Sequence, residues 1–304
     1  MKLSKIFVIA IAGTFLITAC KNAAVTKNDS QDKKEIGLQL YSVRSLLDSA
    51  ATYHNDLAGL LDTLAYMGYT QGEAASYNSN EGTFYGMAPE ALAQIADSLG
   101  IKIISSHAGR PLNGQELKSG ELSDFREYWA KTIKDHKALG VNYIVLPWMS
   151  LPETIQDLEM QCQALNEVGA MAAKEGIKFG YHTHSQEFKK VEDNVMFDYM
   201  IEHTDPENVF YEMDVYWAIM GQASPVDYFN KYPGRFKLLH IKDRREIGQS
   251  GMVGFDAIFD NADTAGMETY FVELEEATDG IIEGVNESAD YLKAAPFVNS
   301  SYSK

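Results

Sequence analysis

Two cysteines in 304 residues, Cys20 and Cys162, leave little room for a disulfide framework. Basic residues are also scarce: 26 Lys and Arg face 43 Asp and Glu, a formal net charge of −17. A surface of that sign disfavours nucleic acid and anionic lipid as partners and counts against a heavily phosphorylated substrate, unless a local site overrides it. No glycine-rich phosphate fingerprint follows the first strand pattern, where "LQLYSVRS" stands, so a dinucleotide-binding open sheet is disfavoured. The apolar run at residues 6–17 falls short of the about 20 residues that a membrane-spanning helix needs.

That short run has a different use. Lys2 and Lys5 precede it, and it closes on Ile17-Thr18-Ala19-Cys20, which resembles a bacterial lipobox. Residues 1–20 are therefore expected to be a lipoprotein signal peptide with Cys20 as the lipidated residue. Residues 21–35, "KNAAVTKNDSQDKKE", read as a flexible tether. The chain is expected in the bacterial cell envelope, held to the membrane only by that anchor, on the periplasmic side. With Cys20 committed, no intramolecular disulfide is available. Cys162, on a helical pattern, reads as a small core residue.

The body repeats one junction: a helical pattern ends in glycine and a β-rich run begins. It recurs in "YMGYTQGEA", "SLGIKIISSH", "ALGVNYIVLPW", "KEGIKFGYHTH", "YPGRFKLLHIKD" and "TAGMETYFVELEE". Adding "EIGLQLYS" and "ENVFYEMDVYW" gives eight strand candidates, alternating with amphipathic segments such as "DLAGLLDTLAYM" and "FREYWAKTIKDHKAL". Eight such units predict a single-domain (β/α)8 TIM barrel over residues 36–296, with residues 297–304 as a C-terminal tail.

In such a barrel the site is built at the C-terminal ends of the strands. Four histidines fall at predicted strand ends, His107, His182, His184 and His240, together with Glu73, Glu212, Asp214, Glu273 and Glu275. The other three, His54, His136 and His203, fall in helical stretches and read as solvated or capping. Buried carboxylates are costly without a partner, and a divalent cation is the simplest one. Asp214, His240 and Glu273 come from the sixth, seventh and eighth strands, and His182 ends the fifth and can complete a four-ligand set. The mixed nitrogen and oxygen donors suit Mn2+ first, with Zn2+, Co2+ or Mg2+ as alternatives, better than Ca2+. His184, one step nearer the mouth, is placed as base. Glu187 is open between a fourth ligand, in place of His182, and a second acid/base group.

At these residues the chain resembles the xylose isomerase-like TIM-barrel superfamily, whose members are often labelled sugar phosphate isomerase/epimerase. The resemblance covers residues 36–295 and is carried by "IGLQLYSVR", "YHTHSQEF", "EMDVYWA", "LLHIKD" and "YFVELEE". In that family a metal is held by Glu, Asp, His and Glu from strands five to eight. Asp214, His240 and Glu273 match, whereas the first Glu falls on His182, a departure. The resemblance implies proton abstraction beside a ketone or aldehyde through an enediolate, with His184 as general base. Lys242 is then either a donor to the oxyanion or an ion-pair partner of Asp243 or Glu212. Glu73 and His107 are expected to bind sugar hydroxyls, and Trp148 and Trp217, with Tyr216, to offer apolar faces to the ring.

One intermediate leads to several products. The expected activity is a lyase or hydratase acting on an unphosphorylated keto-sugar, by 3-keto-glycoside elimination or hydration of a 3-keto-2-hydroxyglucal. The alternatives are a metal-dependent carbohydrate isomerase or epimerase, and a non-catalytic sugar-binding lipoprotein. The expected partner is a small carbohydrate, with no nucleic acid; the sequence carries no signal for the oligomeric state.

Overall fold

A computed structural model describes residues 33–47 and 53–303. Its eight parallel strands close into a barrel: β1 (Gly37–Gln39), β2 (Gln71–Ala74), β3 (Lys102–His107), β4 (Tyr143–Leu146), β5 (Lys178–His182), β6 (Val209–Asp214), β7 (Leu238–Lys242) and β8 (Thr269–Glu273). β8 pairs with β1, so the sheet has no free edge. The principal outer helices are α1 (Tyr53–Met67), α2 (Pro89–Ser98), α3 (Ser123–Leu139), α4 (Ile155–Lys174), α5 (Met196–His203), α6 (Pro225–Lys231), α7 (Phe255–Asp260) and α8 (Ile281–Ala294). The predicted barrel is the observed one. The leader, Cys20 and nearly all of the tether lie outside the described residues. Among the described residues no helix is long and apolar enough to cross a membrane.

Local sequence explains the alternation. α4 buries Leu158, Cys162, Leu165, Val168 and Ala172, one stripe at three- and four-residue spacing. α3 ends where Gly140 takes φ 84° and donates its N–H to the carbonyl of His136, a left-handed cap that a side chain would strain. The glycines of the other five predicted junctions, Gly68, Gly100, Gly176, Gly234 and Gly266, also have positive φ.

The barrel interior is layered because strand side chains alternate faces. At the N-terminal end Val145, Phe210, Leu238 and Phe271 form a small apolar plug. Two of these rings lie against glycines: a Cβ on Gly180 would come within 2.4 Å of Phe210, and one on Gly37 within 2.5 Å of Phe271. Two residues further along the same strands, the interior turns polar, with Glu212 and His240 after Phe210 and Leu238, and Glu273 after Phe271.

Three expectations are corrected. Residues 297–304 do not form a free tail, because Val298 is buried and Tyr302 packs on Phe259 and Tyr270. The Glu35 N–H donates to the Ser300 carbonyl at 2.8 Å, and Lys34 reaches the carbonyls of Leu292 and Ala295, so the end of the expected tether is docked as well. His136 is not solvated. Its ring is fully buried against Tyr77 and Phe84, with Nδ1 on the Thr132 carbonyl at 2.7 Å and Nε2 on Ser106 Oγ at 3.0 Å. Helical periodicity from Trp129 and Ile133 already puts position 136 on the inner face of α3.

Burial lowers the His136 pKa from 6.5 to about 4. The unfolded chain therefore takes up a proton that the folded chain refuses, and this contribution is complete above pH 6.5 and is lost as pH falls toward 4. His136→Gln is expected to lose less stability than the wild type between pH 7.5 and 4.5, the difference being about 3 kcal/mol at most. Urea unfolding at both pH values tests this, and parallel loss in the two proteins would refute it.

Candidate active site

The polar residues converge because parallel strands in register bring their ends together. Glu212 on β6 pairs with His182 on β5, Asp214 with His240 on β7, and Lys242 with Glu273 on β8. Glu73, Glu212, Asp214, Glu273, His182, His240 and Lys242 are all buried. So many ionisable groups out of water survive only by compensating one another.

A deep layer lies just above the apolar plug. His107 Nε2 donates to Glu212 Oε2 at 2.6 Å, and His182 Nδ1 reaches the same oxygen at 3.1 Å. His240 Nε2 donates to Glu73 Oε2 at 2.7 Å. Glu73 also accepts from Gln39 Nε2 at 2.6 Å and from Ser105 Oγ at 2.5 Å. Burial works to raise the Glu73 pKa, but His107, His240 and Ser105 outweigh it and hold the carboxyl below its ordinary range. Glu212 is pushed up, by burial first and then by the charge of Glu73, and its Oε1 has no hydrogen-bond partner.

The mouth layer holds the four residues expected as ligands. His182, Asp214, His240 and Glu273 each offer a donor atom, and these atoms all lie within 4.8 Å of one another. Asp214 caps the short helix Val215–Met220, its Oδ1 accepting the Trp217 N–H at 2.8 Å. That leaves Asp214 Oδ2 buried and unpartnered, and burial lifts the carboxyl to about 7. Glu273 Oε2 accepts from Lys242 Nζ at 3.1 Å and lies 3.1 Å from His240 Nδ1. The set of two imidazoles and two carboxylates, with one orphaned oxygen, fits a divalent transition ion.

His184 stands beside this set, its ring 4.7 Å from His182 and 6.1 Å from Trp217. Its Nδ1 is buried without a partner, and burial lowers its pKa to about 4, so the ring is neutral at physiological pH. Lys242 pairs with Glu273 and Glu275, at 3.1 and 3.2 Å, rather than with Asp243 or Glu212. Its ammonium lies 5.6 Å from the Trp217 ring centroid. Asp243 instead caps its own loop, accepting from the N–H groups of Arg244 and Gly248.

Other expected positions are placed differently. Glu187 belongs to neither ligand group: it is fully buried, accepting from the Tyr181 hydroxyl at 2.7 Å and the His184 N–H at 2.7 Å. Its chemistry is to clasp the loop that carries His184, because both oxygens are already engaged. Trp148 stands half exposed on the loop after β4. Gln39 and Ser105 carry no signal in the sequence, and Glu212, counted among the strand-end acids, was given no role of its own. For Glu212 the signal was there, two residues before Asp214 on the same strand face. A cavity of about 490 Å3 at the opposite barrel end, lined by Lys178, Asn208 and Lys237 among others, holds no comparable crowd of buried charge.

Adding Mn2+ or Zn2+ to chelator-treated protein is expected to raise the thermal midpoint in a concentration-dependent way. Asp214→Asn removes an anionic donor from the mouth set and is expected to lose most of that rise. Calorimetric melts at several metal concentrations measure it, and an equal rise in both proteins would place the ion elsewhere.

Comparison with known proteins agrees with the barrel fold. The family model described as xylose isomerase-like TIM barrel matches residues 61–295. A sugar phosphate isomerase/epimerase from Parabacteroides distasonis is 38% identical, with a TM-score of 0.80 over 89% of this chain and 97% of that one. An inosose dehydratase from Geobacillus kaustophilus is 26% identical over 202 residues, 61% of this chain, and the match spans only 61% of that relative's length. The structure of the IOLI protein with a zinc atom aligns at a TM-score of 0.66 over 89% of this chain and all of that one, but at 14% identity it is a likeness of fold alone. From the extent of the family match, the chain belongs to the xylose isomerase-like TIM barrel family.

Proposed function

We propose that the protein is a divalent-metal-dependent lyase or hydratase of unphosphorylated keto-sugars. The observation that carries this reading is a buried, unpartnered imidazole nitrogen, His184 Nδ1, beside a four-donor set that fits a metal ion. His182, Asp214, His240 and Glu273 would hold a divalent ion, which would supply Lewis acidity to a ketone substrate when bound. The neutral His184 takes the proton from the carbon next to the ketone through Nδ1. The Lys242 ammonium, kept charged by Glu273, Asp214 and Glu275 in spite of burial, donates toward the oxyanion that develops. Trp217 closes the apolar side. Expulsion of the group on the β carbon completes the elimination; water entering by the reverse route gives the hydrated sugar.

Two features support elimination or hydration over epimerisation, which the name of the Parabacteroides relative suggests. Epimerisation by two bases needs a second proton carrier, and Glu187, the candidate for it, is tied to Tyr181 and the His184 backbone. The inosose dehydratases bear the name of a reaction that removes water. The absence of phosphate from the substrate is supported by the buried cation of the mouth, Lys242, which two carboxylates already neutralise. The leader and lipobox support a place in the cell envelope, anchored through Cys20.

His184→Ala is expected to lower turnover of a 3-keto-glucoside by a factor of about 100 to 10,000 while leaving binding largely intact. NMR in deuterium oxide with Mn2+-loaded protein reads both product formation and exchange at C2. Undiminished sugar affinity with no turnover in the wild type would favour the non-catalytic binding reading instead. Cys20→Ala is expected to move the protein from the membrane pellet to the soluble fraction in a bacterial host, and a variant that stays with the membrane would refute the lipid anchor.

A further inference from the structure

Two overlapping groups of side chains come close enough to share an ion: His182, Asp214, His240 and Glu273 at the mouth, and His107, His182, Glu212 and His240 one layer deeper. His182 and His240 belong to both. We infer that the mouth group alone binds metal, one ion per chain, and that Glu212 and Glu73 are positioning residues that hold the ring protons of His182 and His240 on the nitrogens turned away from the ion. The inference rests on the reading of the mouth as a metal site.

Spacing separates the two groups. Ligands of one ion at about 2.0–2.2 Å from it stand about 3 Å or more apart, whether four or six surround it. In the deep group His107 Nε2 stands only 2.6 Å from Glu212 Oε2, and His240 Nε2 is already held at 2.7 Å by Glu73, which belongs to neither group. Those are lengths of charge-assisted hydrogen bonds, with a proton between the atoms.

Proton bookkeeping agrees. An imidazole that binds metal through one nitrogen keeps its proton on the other and donates it to an acceptor. His182 Nδ1 has Glu212 Oε2 at 3.1 Å, which leaves Nε2 free. His240 Nε2 has Glu73 Oε2 at 2.7 Å and Glu212 Oε2 at 3.2 Å, which leaves Nδ1, the nitrogen beside Glu273. Filling both groups at once would strip both nitrogens of both rings, two imidazolates in one buried cluster. Glu73 is fixed further by Gln39 and Ser105. With these bonds made Glu73 does not turn toward a sugar, whereas His107 has only its Nε2 committed, to Glu212.

The test uses the full chain with 15N-labelled histidine rings and Zn2+. Long-range proton–nitrogen NMR should show His182 protonated at Nδ1 and His240 at Nε2, with elemental analysis giving one zinc per chain. Glu212→Gln should weaken zinc binding by a factor of about 10 to 100 in a chelator competition, and Glu212→Asp, which restores an anionic acceptor, should recover part of it. Two zinc ions per chain, a proton on His182 Nε2, or unchanged affinity in Glu212→Gln would overturn the inference, and the NMR arm needs no variant to fold. Asp214→Asn keeps the two failures apart. If it binds zinc as tightly as the wild type, the mouth itself is not the metal site. If it loses zinc while the His182 proton sits on Nε2, only the positioning role falls.

Discussion

The structure turns on the mutual neutralisation of charges inside a closed barrel. Four carboxylates, Glu73, Glu212, Asp214 and Glu273, lie where water does not reach. Isolated, each would cost several kcal/mol. They are tolerable because His182 and Lys242 meet them from neighbouring strands, and His107 and His240 from across the barrel. The arrangement is only possible in a barrel. Parallel strands in one register carry their alternate residues to a common axis, so residues far apart in sequence become nearest neighbours. Removing one member leaves its partners as uncompensated buried charge, which ties folding and chemistry to the same few side chains.

The apolar plug below and the loops above divide the labour. Phe210 and Phe271, seated against Gly180 and Gly37, seal the lower end and set the floor on which the deep layer rests. The floor fixes the height of Glu212 and His240, and these in turn fix the layer above. The loop after β5 adds the remaining piece. Its His184 is aimed by a carboxylate, Glu187, that is itself locked by a tyrosine from the same strand. Rigid strands thus carry the proposed metal donors, and a clasped loop carries the proposed base.

Much of this was legible in the sequence, for physical reasons. Glycine at the end of a helical stripe marks a left-handed cap, and all six such glycines mark strand entries. The two-residue period of a strand set Asp214 with Glu212, His240 with Lys242 and Glu273 with Glu275 on shared faces. Less legible was which acids answer to which histidines, because that depends on register between strands. Glu212 shares its face with Asp214, yet nothing in the local pattern tells that three imidazoles converge on one of its oxygens. Glu187 misled for a related reason: a polar residue just past a strand end looks available, and its hydrogen bonds to Tyr181, the His184 N–H and Gln186 are visible only in three dimensions. His136 shows the opposite error, where a polar residue in a helix hid a buried position that its apolar neighbours at helical spacing betray.

The two ends of the described chain are stitched together beside the start of β1, where Glu35 meets Ser300 and Lys34 meets Ala295. That is the floor of the barrel, the end opposite the mouth. The same closeness of ends makes the barrel a good subject for circular permutation: joining residue 303 to residue 33 through a short linker and opening the ring in an outer loop would preserve every strand pairing that builds the site.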